Sequence, residues 1–227
     1  MTAAHDLVVW YRQYGKERKL PWRQADQPIA RIAMVEGLLA QTRAHAVARA
    51  YWQIFDGVVF AKDWARIPEC ERIERIAPLG LPGLKAAAVD SIAHILMDFD
   101  EEIPASLVHD LTAFPGIGPY TAGMLATLFG HDAIPADCNV ARVGARASAD
   151  GDPVRWMATI IEEANHVPDA GNIGSPKYEA TCAILDIGQM YCKPLERWCG
   201  LCPLQGHCAT QGMPGEQLIL PSCKAPE

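Results

Sequence analysis

The stretch Leu111-Thr112-Ala113-Phe114-Pro115-Gly116-Ile117-Gly118-Pro119-Tyr120-Thr121-Ala122 decides how the rest of the chain reads. Gly116-Ile117-Gly118 between two apolar segments predicts a tight turn joining two helices, because glycine takes backbone angles that other residues resist. The second helix opens with backbone N–H groups that have no partner inside the helix. Such an end holds a phosphate without any charged side chain. A plain corner between two helices would use the same residues, so the turn alone leaves DNA binding open.

Downstream, Gly130-His131-Asp132-Ala133-Ile134-Pro135-Ala136 reads as a loop that leads into Asp137-Cys138-Asn139-Val140-Ala141-Arg142-Val143. An aspartate here has two readings. It caps the next helix, a frequent task for Asp, or Asn139 caps and Asp137 is free to face a pocket. Around this core the chain reads as helices. Ile32, Val35, Leu38 and Leu39 recur at helical spacing, as do Val89, Ile92, Ala93 and Leu96, and then Ala183, Ile184 and Ile187. Alternating strand patterns are scarce, and the expected class is all-α.

The 227 residues are half apolar, enough for one large or two modest helical domains. No run of about 18 apolar residues appears, so no membrane span is expected. The N-terminus lacks a basic start and an apolar run, and the expected location is the cytoplasm. A net charge of −7 lowers the expectation of nucleic-acid binding without excluding it, since a basic face can coexist with an acidic remainder.

Five of the eight cysteines fall in the last 36 residues. Cys192, Cys199, Cys202 and Cys208 form C-x6-C-x2-C-x5-C, four soft ligands within 17 residues. In a cytosolic chain such clustering points to metal over disulfides. Spacing leaves zinc and iron–sulfur both open. Cys70, Cys138, Cys182 and Cys223 lie outside the box and read as ordinary thiols. From Ala209 the chain turns Gly- and Pro-rich, and 209–227 is expected to be a loose tail.

The hairpin with Asp137 resembles the helix-hairpin-helix DNA glycosylase superfamily, and the cysteine spacing resembles the [4Fe-4S] loop of its endonuclease III-like and MutY-like members. Leu20-Pro21-Trp22-Arg23 and Met34 to Thr42 extend the resemblance, which runs from about Leu20 to Cys208. It implies two helical lobes with a DNA groove between them. One is a six-helix barrel carrying the hairpin, over 27–133. The other is a cluster lobe built from 1–26 and 134–208. The implied partner is double-stranded DNA with a mismatched or damaged base, bound by a monomer.

The resemblance also assigns residues. Asp137 matches the catalytic aspartate, which stabilises positive charge on the sugar as the glycosidic bond breaks. Glu36 sits in an apolar helical stretch where a charge is costly unless paired or functional; facing solvent or pairing with Arg31 or Arg43 is the alternative. Gln41 matches the residue that fills the gap left by the flipped base. Arg43, Gly116, Gly118 and Thr121 are the expected DNA contacts, and for Gln41 and Arg43 an ordinary helix terminus is the other reading. The four box cysteines become ligands of a [4Fe-4S] cluster.

Tyr120 narrows the reaction. Endonuclease III-like enzymes carry a lysine there that forms a Schiff base. A phenol cannot, so base removal without strand cleavage is expected. Archaeal-type G:T/G:U mismatch glycosylases and some MutY-type adenine glycosylases both carry tyrosine at this place. Leu79-Gly80-Leu81-Pro82-Gly83-Leu84-Lys85-Ala86 lacks the paired tyrosines typical of MutY. The chain also stops 19 residues after Cys208, where MutY proteins usually continue into another domain. Excision of thymine or uracil opposite guanine is therefore expected over adenine excision. A catalytically silent DNA-binding module is the alternative of another class, opposed by the presence of both Asp137 and Glu36.

Overall fold

A computed structural model describes residues 1–24, 26–170 and 173–211. Its regular elements are helices, and among the described residues the one β-bridge pairs Cys192 with Arg197. In chain order they are α1 (Ala3–Tyr14), α2 (Ile29–Leu39), α3 (Ala44–Ile54), α4 (Ala61–Ala65), α5 (Glu69–Ile76), α6 (Pro82–Asp98), α7 (Pro119–Leu128), α8 (Cys138–Ala147), α9 (Pro153–Ala164) and α10 (Pro176–Met190). Proline opens α6, α7, α9 and α10, where its missing N–H has no intrahelical partner to lose. Asp152 and Ser175 cap α9 and α10 with their side chains.

Two groups of helices result. α2 packs on α3, α6 and α7, while α4 and α5 pack on α6. α1 lies across α9 and α10, and α8 packs against both of these. A bond from Arg12 to Glu179 at 2.7 Å ties α1 to α10. α10 also meets α7, so the apolar core runs continuously from Leu38 and Ile92 through Met124 to Ile184.

The hairpin sits where these groups meet. A 3-10 stretch over Ala105–Ala113 leads into it, and Gly116 turns the chain with φ 78°. A side chain at Gly116 would place its Cβ 2.6 Å from the backbone nitrogen of Ala88 in α6, so only glycine allows this approach. Ser91 fixes the turn by donating to the Pro115 carbonyl at 2.9 Å.

No single helix among the described residues is long and apolar enough to cross a membrane. Ala209 and Thr210, at the start of the expected tail, still donate to the carbonyls of Ala147 and Arg146. The rest of that tail, from residue 212 and including Cys223, lies outside the described residues.

Candidate active site and DNA groove

The ends of α2, α7, α8 and α10 surround a groove of about 1080 Å³. Glu36, Gln41, Arg43, Gly118, Tyr120, Thr121 and Asp137 all line it, although the sequence spreads them over a hundred positions. Gly116 supports the hairpin from behind and is not part of the lining.

Asp137 caps α8: one carboxylate oxygen accepts from Asn139 N at 2.6 Å and from Val140 N at 3.1 Å. Asn139 is therefore not the cap. Its side-chain oxygen instead accepts from Arg142 at 2.7 Å. The cap occupies Oδ1, and Asp137 still lines the groove. Capping and facing the pocket are thus two jobs of one carboxylate. Two close approaches place it. A Cβ on Gly123 of α7 would come within 2.6 Å of Pro135, and one on Gly188 of α10 within 2.6 Å of the Asn139 side chain. Glycine at both positions lets the loop and the start of α8 sink between α7 and α10.

Glu36 is 1% exposed. It neither faces solvent nor pairs with Arg31 or Arg43. Tyr178 donates to Oε1 at 2.6 Å and Tyr120 to Oε2 at 3.3 Å. Burial pushes its carboxyl from 4.5 up to about 7, against the opposing pull of the two phenols and of Arg23. Burial therefore lets the group keep a proton at a far higher pH than an exposed glutamate would. Burial also holds the Tyr120 and Tyr178 phenols well above 10, with the nearby carboxylates adding to it, so both stay protonated donors.

Gln41 is exposed with φ 56°, in the left-handed region that longer side chains rarely adopt. It directly follows Ala40, the C-cap of α2, so the helix end is there, and it is the third residue of a turn closed by Thr42 N to Leu39 O at 3.0 Å. Arg43, exposed, directly precedes α3 on the rim. Gly118 precedes α7, and a side chain there would meet open space. The Thr121 side chain is fully buried and its hydroxyl has no hydrogen-bond partner among the described residues. Packing of α7 into the core leaves Thr121 with no exposed surface, backbone or side chain.

Sequence reasoning missed Tyr178, Arg23 and Asp186. Arg23 is buried with its guanidinium 5.3 Å from the Tyr11 ring centre. Arg18 and Arg23 both donate to the fully buried Asp186, and all three line the groove beneath Glu36. For Asp186 a signal was present, a carboxylate between Leu185 and Ile187 in an apolar helical run as for Glu36; Arg23 and Tyr178 carry no such signal.

The four box cysteines line one cavity together with Arg146 and Tyr191. Among the described residues no three His, Cys, Asp or Glu side chains form a group that could hold a metal ion directly. Burial raises the Cys202 thiol to about 11, with the other three sulfurs adding to it. α8 reaches this loop from its other end. Arg142 donates to Cys192 O at 2.9 Å and Gly188 O at 2.8 Å, and Arg146 donates to Lys193 O at 2.8 Å and lies 3.3 Å from the Cys192 sulfur.

No family profile matches the chain. A thymine-DNA glycosylase of Aeropyrum pernix is 30% identical over 212 residues, which cover 89% of this chain and 91% of that protein. An adenine DNA glycosylase of Mycolicibacterium smegmatis is 28% identical over 206 residues, 89% of this chain and 67% of that protein. In fold the chain resembles the solved structure of a thermostable thymine-DNA glycosylase, with a TM-score of 0.64 at 21% identity over 92% of this chain and 94% of the other.

Proposed function

Because the chain belongs to the DNA glycosylases of the helix-hairpin-helix superfamily, we propose that it excises thymine or uracil mispaired with guanine. The observation that carries the reading is the protonatable Glu36 bonded to Tyr120 in a groove that Asp137 also lines. The flipped nucleotide enters this groove. Asp137, held by its cap, presents negative charge to the sugar as the glycosidic bond opens. Glu36 hydrogen-bonds the departing base or gives it a proton, which its pKa of about 7 permits. Arg23 and Asp186 form the polar floor against which the base is read.

The product is an intact abasic strand. The described lining of the groove includes arginines but no lysine, and Tyr120 offers a phenol in place of an amine. Gly118 and Arg43 take the phosphates, and Gln41 fills the space the base has left. Gly116 serves the same contact by shaping the hairpin.

We also propose the lobe division 27–133 against 1–26 with 134–208, a monomer working on double-stranded DNA in the cytoplasm, and a [4Fe-4S] cluster on Cys192, Cys199, Cys202 and Cys208. The four soft thiols line one cavity in one short loop, which supports a cluster held by all four. When bound, the cluster supplies a rigid cross-link that shapes the loop toward DNA. Arg146 donates to the Cys192 sulfur at 3.3 Å and to the Lys193 carbonyl at 2.8 Å, which fixes this end of the loop.

Adenine excision is the second reading, supported by the Mycolicibacterium relative and by an acid able to protonate a purine near neutral pH. Base release from G:T, G:U, A:G and A:8-oxoG duplexes separates the two. Adenine release alone selects the second, and release of no base overturns both.

A further inference from the structure

Lys85 is 4% exposed, in the first turns of α6. Its ammonium donates to the carbonyl of Ala40 at 3.2 Å. A buried ammonium with a neutral acceptor carries a desolvation cost, and burial lowers its pKa. An apolar side chain would fill the space without that cost, so the contact must be weighed by what it holds.

What it holds is one peptide group. Ala40 has φ −54° and ψ 117°, Gln41 has φ 56°, and Thr42 N donates to Leu39 O at 3.0 Å. These are the marks of a type II turn over residues 39–42. In that turn the third residue needs positive φ and is usually Gly or Asn. Gln41 has neither advantage. A type I turn would relieve it by rotating the peptide between Ala40 and Gln41. That rotation turns the Ala40 carbonyl to the opposite side. The same carbonyl is the one Lys85 holds, and the Thr42 hydroxyl also donates to it at 3.3 Å.

We propose that Lys85 is a positioning residue that locks the Ala40–Gln41 peptide in its strained form and so aims the Gln41 side chain into the duplex. Lys85 does not line the groove, and it acts through the turn. The inference rests on the gap-filling reading of Gln41. The lock keeps the side chain ready before DNA arrives, so the strain is not met again during base flipping.

The test is a double-mutant cycle on single-turnover base release from a G:T or G:U duplex, with Lys85→Met and Gln41→Ala singly and together. Lys85→Met keeps the stem and removes the donor. It is expected to slow release roughly tenfold, the scale of one strained backbone residue, while Lys85→Arg restores most of the rate. In the Gln41→Ala background Lys85→Met should cost less than about twofold, because the side chain it aims is gone. An equal loss from Lys85→Met with and without the Gln41 side chain overturns the inference and leaves the gap-filling reading standing. No loss from Gln41→Ala alone overturns both. Should Lys85→Met fail to fold, Thr42→Val removes the other donor to the same carbonyl. A loss of about two- to threefold that vanishes with Gln41→Ala supports the lock, and no loss, or one that persists, refutes it.

Discussion

Replacing Glu36 with glutamine should make the protein more stable and less active, and the gain should depend on pH. The carboxyl ionises near 4.5 in an unfolded chain but is held at about 7 in the folded one, chiefly by burial. Between those values the unfolded state gives up the proton first. Stability is therefore lost as pH rises from about 4.5 to about 7, and the loss levels off above that. The full cost at pH 8 is about 3 kcal/mol, from the gap between the two pKa values. At pH 4.5 it is below about 0.5 kcal/mol. Glutamine carries no charge and keeps the same shape. Its carbonyl accepts from Tyr178, and its amide lies beside the Tyr120 oxygen. Glu36→Gln should then raise the urea midpoint by about 1 M at pH 8 and by little at pH 4.5. Base release should fall at both pH values. A variant that is equally or less stable than the parent at pH 8 would refute the buried-acid account, whatever its activity.

Further outcomes follow from the same geometry. Single-turnover base release should decline as pH passes above about 7 and Glu36 loses its proton; a rate flat from pH 6 to 9 would remove it as a proton donor. Asp137→Asn keeps the cap, since asparagine caps as well as aspartate, so stability should change by less than about 0.5 kcal/mol while release falls at least about a hundredfold. Full activity in that variant would end the role assigned to Asp137. Arg142→Met strips donors from the Cys192 and Gly188 carbonyls and should cost about 2–3 kcal/mol in urea unfolding; an unchanged midpoint would show that the arginine does not staple the loop. Borohydride should trap no covalent complex with the unmodified protein, and purified protein should carry about four irons per chain. Trapping, or stoichiometric zinc in place of iron, would contradict the corresponding assignments.

Much of this was legible in the residues because the signals were local. Helices were legible in the apolar spacing of Ile32 to Leu39, Val89 to Leu96 and Ala183 to Ile187, and the hairpin in Gly116 and Gly118. The cysteine box lies within one short loop, and its spacing is enough to group the thiols. What the sequence could not show depends on contacts between distant segments. Tyr178 meets Glu36 across 142 positions, and Arg23 meets Asp186 across 163, with no local pattern to pair them. Thr121 looked available at a helix start, but only the packing of α7 shows that its side chain points inward. For Asp137, cap and pocket read as alternatives in the sequence, yet the cap uses only one of the two carboxylate oxygens. For Gln41 the positive φ was not legible, since the residue is neither Gly nor Asn. The Lys85 contact to the carbonyl before it is 45 positions away in the chain.

The central claim is that this groove removes a mispaired pyrimidine and leaves the strand whole. The most direct measurement is single-turnover release of base from G:T, G:U, A:G and A:8-oxoG duplexes, with strand integrity read before and after alkali. Thymine or uracil released opposite guanine, with cleavage appearing only after alkali, is the predicted result. Adenine as the sole product, strand cleavage without alkali, or no release from any duplex would contradict it.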